Sequence, residues 1–345
     1  MATIREVARL AKVSVATVSR VMNGVAVTPA NKTAVLAAIE QLHYRPNAFA
    51  RSLATDRSGA IGVVVNEVTG LFYGGIVQGI ESVVEKHGMH LVVSSGHRVA
   101  ERERQAFDSL TQSRADALIL LVSATSDYDL IELANRDRPV VIIGRHIEEL
   151  ADRCVFVDNV HGGYVATRHL IDQGHERIAH LTGNLSMKDG RDRLEGYKAA
   201  LREAGLEFDE ALIVDSEFVE AGGYRGMQRL LRRGRDFTAA FAANDQSAAG
   251  ALLALKESGL SVPEDVSIVG YDDVLLAKYV SPALTTVGQP YVEMGRSAAK
   301  LALSAIGIAP ATRIVTKFEP KLVVRDSVAP PRQGAVLREA AVAAT

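Results

Sequence analysis

The sequence reads as an α/β protein: a small all-α head followed by a two-lobed body of doubly wound parallel sheets. From Ala60 onward, apolar β-runs alternate with stretches of helical period, the pattern of parallel strands covered by helices. The charge is divided unevenly. Residues 1–57 carry eight Lys/Arg against three acids, a balance of +5, while the remainder holds 31 basic and 38 acidic residues, or −7. Finally, 345 residues with 48% hydrophobic and 23% charged side chains suit two or three domains with proper cores.

The composition excludes whole classes. Disorder as the main state does not fit it, and no run of about 18 apolar residues offers a membrane span. The start, MATIREVARLAKVS, carries charges where a signal peptide needs an unbroken apolar stretch. A single cysteine, Cys154, cannot close an internal disulfide, and a cytoplasmic location is expected.

In the head, Thr3-Ile4-Arg5-Glu6 has capping-box spacing, and Ile4, Val7, Ala8 and Leu10 give an apolar helical face. Ala11-Lys12-Val13 is short enough for a tight turn. Ser14 caps a second helix to about Met22, stopped by Asn23-Gly24. Thr28-Pro29 opens a third, with Val35, Leu36, Ile39 and Leu42 expected to close the core. Asn47 to Ala54 has the length of two helical turns, marginal alone in water, and Thr55 to Gly59 reads as a linker. In the body, strands AIGVVV, HLVVS, ALILLV, PVVIIG, CVFV, RIAHL, TAAFAA and VSIVGYDD alternate with helices. These helices are expected near Phe72–Lys86, Glu101–Gln112, Asp129–Asn135, Gly162–Asp172 and Arg191–Ala204. The stretch from about residue 326 is rich in Ala and Pro and is expected to fray.

Ala8 to Asn23 fits a helix-turn-helix. Its second helix shows Ser14, Val15, Ala16, Thr17, Ser19 and Arg20, with hydroxyls and amides for phosphate and Arg20 for a guanine edge. The rival is an ordinary helical hairpin; the basic charge, the terminal position and the VSVATVSRV run favour DNA. For Asn47 to Ala54, residue physics leaves two readings open: a DNA-ordered helix, or a linker whose Leu53 packs on the body. Phe72, Tyr73, Arg193, Asn244 and Asp272 stand where strands give way to loops or helices. In such folds ligands bind there. Acid, amide and arginine with aromatic walls suit a hydroxylated ligand, with surface or capping roles as the rival for any one of them.

TIREVARLAKVSVATVSRVMNG, HYRPNAFARSLAT, DNVHGGYVATRHLIDQGHERIAHLTG and VPEDVSIVGYDD resemble the lactose/galactose repressor (LacI/GalR) family of bacterial transcription regulators. VSVATVSR, RGRDFTAAFAAND and YDDVLLAKYVSPALTTV look most like the galactose repressors. The resemblance implies a headpiece (1–45), a hinge helix and linker (46–59), and a periplasmic-binding-protein-like body. The body's lobes would be 60–158 with 290–319 and 159–289 with 320–327, and 328–345 would be a disordered tail. It adds Thr3, Asn23, Thr28, Tyr44, Asn47, Ala50 and Leu53 to the DNA contacts, with Leu53 wedging into the minor groove. Effector residues carry over onto Phe72, Tyr73, Asp189, Arg193, Phe218, Asn244, Asp272, Gln289 and Tyr291. Two departures stand out: Lys12, where the family usually has glycine, and Gly144, where many relatives have an acid.

The expected protein is a homodimeric repressor of sugar catabolism genes on a pseudo-palindromic operator, with galactose or a related hexose as effector. The alternative is a solute-binding protein of sugar transport, which shares such a body. No HExxH, Cys/His spacing, phosphate loop or nucleophile elbow occurs, so no metal, cofactor or catalysis is expected.

Overall fold

The computed structural model describes residues 2–22, 25–44, 58–136, 138–234, 237–310 and 312–332. The chain divides into two units, Met1–Gly59 and Ala60–Thr345.

The first unit holds α1 (Ile4–Leu10), α2 (Val15–Met22) and α3 (Pro29–Gln41). The capping box forms: Thr3 N–H donates to Glu6 Oε2 at 2.7 Å, and Glu6 N–H donates to Thr3 Oγ1 at 3.4 Å. Val7, Ala8, Val18, Val35 and Ala38 are buried as the core. Two expected core residues lie outside it, Leu10 at 42% and Leu36 at 51% exposure. On α3 the inward stripe runs through Val35, Ala38, Ile39 and Leu42, and Leu36 sits about 100° around the helix from Val35.

The second unit contains two six-stranded sheets. The first comprises β1 (Ala60–Val65), β2 (His90–Ser95), β3 (Ala117–Leu121), β4 (Val140–Ile143), β5 (Cys154–Val157) and β11 (Lys317–Phe318), in the order β11-β5-β4-β3-β1-β2. All its pairings are parallel. Its helices are α4 (Leu71–Val84), α5 (Ala100–Gln112), α6 (Asp127–Ala134) and α12 (Tyr291–Ala305). Alternation sends Ile61, Val63 and Val65 toward α4 and α12, and Val64 toward α5. Burial on both faces is what a doubly wound sheet requires.

The second sheet runs β12-β10-β9-β8-β6-β7, from β6 (Ile178–Thr182), β7 (Ile213–Asp215), β8 (Ala239–Ala242), β9 (Ser267–Asp272), β10 (Thr285–Gly288) and β12 (Lys321–Val323). β12 is antiparallel to β10, an exception to the all-parallel expectation. One face carries α7 (Asn159–Asp172) and α8 (Lys188–Glu203), the other α9 (Glu220–Arg232) and α10 (Asp245–Glu257). A short α11 (Leu275–Tyr279) follows β9. α7 begins three residues before the expected Gly162, because the Asp158 carboxylate accepts from His161 N–H at 3.0 Å and caps it. α8 likewise starts at Lys188 rather than Arg191.

The expected tail is also corrected, because residues up to 332 are bound to the sheet. Ser327 Oγ donates to Ile268 O at 2.6 Å, and Ala329 exchanges bonds with Ser267 Oγ at 3.0 Å in both directions. Arg332 pairs with Asp265 at 3.0 Å. The rest of that expectation, 333–345, lies outside the described residues, as does most of the expected hinge, 46–57.

Helix pairs approach closely where glycines face each other's backbone. A Cβ on Gly163 would stand 2.2 Å from Arg193 O, and one on Gly196 would stand 2.0 Å from Val160 O. α4 and α12 meet in the same way at Gly79 and Gly295, and α9 and α10 at Gly223 and Gly250. Gly163→Ala should therefore destabilise the body by about 1–3 kcal/mol through overpacking. Gly74 is helical with open space around its Cβ position, so Gly74→Ala should stabilise by about 0.5–1 kcal/mol. Urea titration of both variants checks the opposite signs.

Candidate functional site

In the head, Thr17 N–H donates to Ser14 Oγ at 3.1 Å, and the two hydroxyls lie 2.9 Å apart, which fixes the start of α2. Val18 turns inward as its anchor, leaving Ser14, Val15, Ala16 and Arg20 exposed, with Thr17 and Ser19 half-buried. That is a surface of hydroxyls, small apolar groups and one guanidinium. Lys12 adopts φ 55° in the turn, the left-handed conformation that glycine accommodates best. Thr3 and Thr28 cap α1 and α3 with their hydroxyls, and Tyr44 packs on the head's core. Asn23, Asn47, Ala50 and Leu53 lie outside the described residues.

In the body, the carboxyl ends of the second sheet gather around Arg193. α8 lies close against α7, so the guanidinium, 4% exposed, reaches Asn159 Oδ1 at 2.9 Å and the carbonyl of Ala243. It stacks over Tyr271 at 3.7 Å and flanks Phe218 at 5.5 Å. Its Nη2 stands 3.8 Å from Asp272 Oδ1. Gln289 Nε2 donates to that same oxygen at 2.5 Å. Asn244 caps α10 by accepting from Ser247 N–H at 2.9 Å, and donates to Phe218 O at 3.0 Å. Phe218 and Asp272 hold φ of 60° and 106°, conformations that cluster at functional sites. Five expected effector residues thus form one cluster: Arg193, Phe218, Asn244, Asp272 and Gln289.

Facing residues come from the first sheet. Phe72 meets Tyr73 and Tyr291 edge-on at 5.5 and 5.7 Å. Asn66 Nδ2 donates to the Tyr73 hydroxyl at 3.2 Å, and Ser123 Oγ donates to Asn66 Oδ1 at 3.1 Å. From the second sheet's side, Asp189 on α8 receives Asn159 Nδ2 at 3.4 Å, and burial raises its pKa.

A cavity of about 310 Å³ opens here. Of the nine expected effector residues, Phe72, Tyr73 and Asp189 line it. The other six stand in the adjoining clusters, where the polar groups of Arg193, Asn244, Asp272 and Gln289 are engaged with the protein. Sequence reasoning missed Asn66, Ser123, Asp127, Arg145 and Arg191, which also line the cavity. Asn66, Ser123 and Arg145 closely follow strands β1, β3 and β4, so the strand-end rule applied to every strand finds them.

Burial pushes the Asp272 carboxyl up to about 6, against the pull of Arg193 and Gln289. Burial also lowers His180, stacked 4.5 Å from Phe241 and 5.1 Å from Tyr197, to about 4, so this imidazole is neutral at pH 7. For Asp272 the folded state holds its proton more tightly than the unfolded one, whose value is near 3.8. Its stabilising contribution is therefore full below pH 4 and is lost as pH rises through 6, about 3 kcal/mol in all. The parent should gain stability between pH 7.5 and 5 relative to Asp272→Asn, as scanning calorimetry of both proteins would register.

Residues 3–47 match the family described as bacterial regulatory proteins, lacI family, and residues 167–328 match the periplasmic binding protein-like domain. The chain is 43% identical to HTH-type transcriptional regulator GalR of Escherichia coli (strain K12), over 96% of this chain and 97% of that one. It is 42% identical to GalS of Salmonella typhimurium over 98% and 99%. Among solved structures it is similar to the lac repressor dimer bound to operator and an anti-inducer. There the TM-score is 0.84 at 30% identity, covering 95% of this chain and 99% of that one. A complex of the transcriptional regulator CelR with cellobiose gives a TM-score of 0.70 at 36% identity, covering 95% and 100%.

Proposed function

Since the chain belongs to the lacI family of bacterial regulatory proteins, it is a DNA-binding transcription regulator rather than an enzyme, and we propose that it represses genes of sugar catabolism under the control of galactose or a related hexose. The observation that carries the choice of sugar is the 43% identity to GalR over nearly the whole of both chains. The cavity's chemistry supports it. Aromatic rings at Phe72 and Tyr73 face amide, hydroxyl, carboxylate and guanidinium groups at Asn66, Ser123, Asp189 and Arg145, a lining suited to a ring with apolar faces and polar edges.

On this reading, two chains bind a pseudo-palindromic operator, each laying α2 in a major groove, with the 46–59 segment as hinge and Leu53 as its wedge. The cavity is the cleft between lobes 60–158 with 290–319 and 159–289 with 320–327. A sugar that prefers one arrangement of the lobes shifts operator affinity by linkage, and coupling of about 1–3 kcal/mol suffices.

The test is a gel shift with genomic fragments, run with and without galactose, glucose, ribose and cellobiose. Galactose should change the bound fraction, and no response to any hexose would remove the effector reading. Operator affinity should fall steeply with salt. Arg20→Ala should cost roughly 1–3 kcal/mol per half-site and relax base preference; unchanged selectivity would displace α2 from the groove. Asp189→Asn should weaken galactose binding about tenfold while operator affinity stays normal, as calorimetric titration against each ligand would measure.

A further inference from the structure

Glu103 is a charged side chain whose burial the proposed function does not use. It lies in the first turn of α5, fully buried, with no salt-bridge partner among the described residues. Both of its oxygens accept hydrogen bonds from the loop that follows β3. Oε1 takes Ser123 N–H at 3.2 Å and Ala124 N–H at 3.1 Å. Oε2 takes Thr125 N–H at 2.7 Å and the Thr125 hydroxyl at 2.6 Å. Three successive amides converge on one carboxylate, the donor geometry of an anion nest. The loop's carbonyls are held from the other side. Arg145 donates to Val122 O at 2.7 Å and to Thr125 O at 3.1 Å. An acid and a base thus grip opposite sides of one loop without touching each other.

The gripped loop forms a wall of the cavity, whereas Glu103 itself does not line it. From the loop, Ser123 Oγ donates to Asn66, and Asn66 donates to the Tyr73 hydroxyl. We propose that Glu103 is a positioning residue for the effector site: its carboxylate fixes the 122–125 loop and, through Ser123 and Asn66, the Tyr73 hydroxyl, so that it sets sugar affinity without contacting sugar. This rests on the reading of the cavity as the effector site. Room for the carboxylate is built into the backbone, because a Cβ at Gly96 would stand 2.3 Å from Glu103 Cγ.

Glu103→Gln tests it. In either orientation its amide turns N–H donors toward loop N–H donors, so the clamp fails while side-chain volume is kept. In the full chain, amide exchange at 123–125 should accelerate while strand 140–143 keeps its protection. The Kd for D-galactose should rise about tenfold or more, with operator affinity unchanged. Gly96→Ala, which crowds Glu103 from outside the cavity, should give the same signature more weakly and serves if the glutamine variant does not fold. Unchanged exchange at 123–125 overturns the clamp. Faster exchange with the parent's sugar affinity overturns the positioning role and leaves Glu103 as a support of the loop alone. A parent chain that binds no sugar overturns the effector reading and the ligand half of this proposal with it; the exchange measurement still decides the clamp.

Discussion

The buried guanidinium of Arg193 is the contact on which the second sheet's functional end depends. One side chain joins α7 through Asn159, the end of β8 through the Ala243 carbonyl and the end of β9 through Asp272, while lying on the Tyr271 ring. A desolvated cation is tolerated only when its hydrogen-bonding groups are answered, and stacking on an aromatic face adds to the balance. Removing one partner of such a set typically costs about 3–5 kcal/mol, because the other charge is left buried and alone. None of it forms unless α7 and α8 lie backbone to backbone, which Gly163 and Gly196 permit. Two absent side chains thus determine where a long one can reach.

The first sheet meets the same need differently. At the end of β3 the chain must turn while its amides stay satisfied, and there a carboxylate collects three N–H groups and an arginine collects two carbonyls. Positive φ recurs at other strand ends. His97 and Arg98 follow β2 at φ of 52° and 57°, Gly144 follows β4 at 94°, and Asp272 and Asp273 turn at 106° and 55°. Both sheets therefore present, at the carboxyl ends of their strands, turns fastened by polar side chains behind them. Loops so fixed can offer a ligand preset groups rather than groups that must be ordered on binding.

What was legible in the sequence follows from how local each signal is. The capping box at Thr3 and Glu6, the Ser14 cap and the alternation of strands with helices rest on neighbours within a turn or a strand, and all appear in the fold. Leu36 was read inward because it is leucine near a helical stripe, but the partner surface decides the face, and that surface is not local. Asp158 caps α7, which starts three residues before the expected Gly162, and Gly163 within it is a place where helices touch. The ordered course of 327–332 depends on Ser267 and His175, some 60 and 150 residues away along the chain. At the site, aromatic and charged residues at strand ends were visible. That Arg193 bonds to Asn159 and the Ala243 carbonyl, and Gln289 to Asp272, was not, since a sequence does not show which polar groups are already satisfied. Glu103 was invisible for a related reason: an acid in the first turn of an amphipathic helix reads as a solvated face.

The energies set the kind of motion available to a ligand. Sugar affinities between millimolar and micromolar correspond to about 4–8 kcal/mol, and only the part that differs between two arrangements of the body shifts their balance. Each lobe is held internally by many terms acting together, among them the Arg193 set in one sheet, the Glu103 and Arg145 grip in the other, and both faces of each hydrophobic core. On the proposed reading, a sugar in the cavity has too little free energy to dismantle either lobe, yet enough to favour one placement of two intact lobes over another. On that reading the buried polar networks keep each lobe stiff enough to move as a unit, so free energy gained at the cavity goes into displacement rather than local repacking. For a regulator that must pass a sugar signal to a DNA-binding head, the proposed reading makes stiffness around the cavity part of the switch itself.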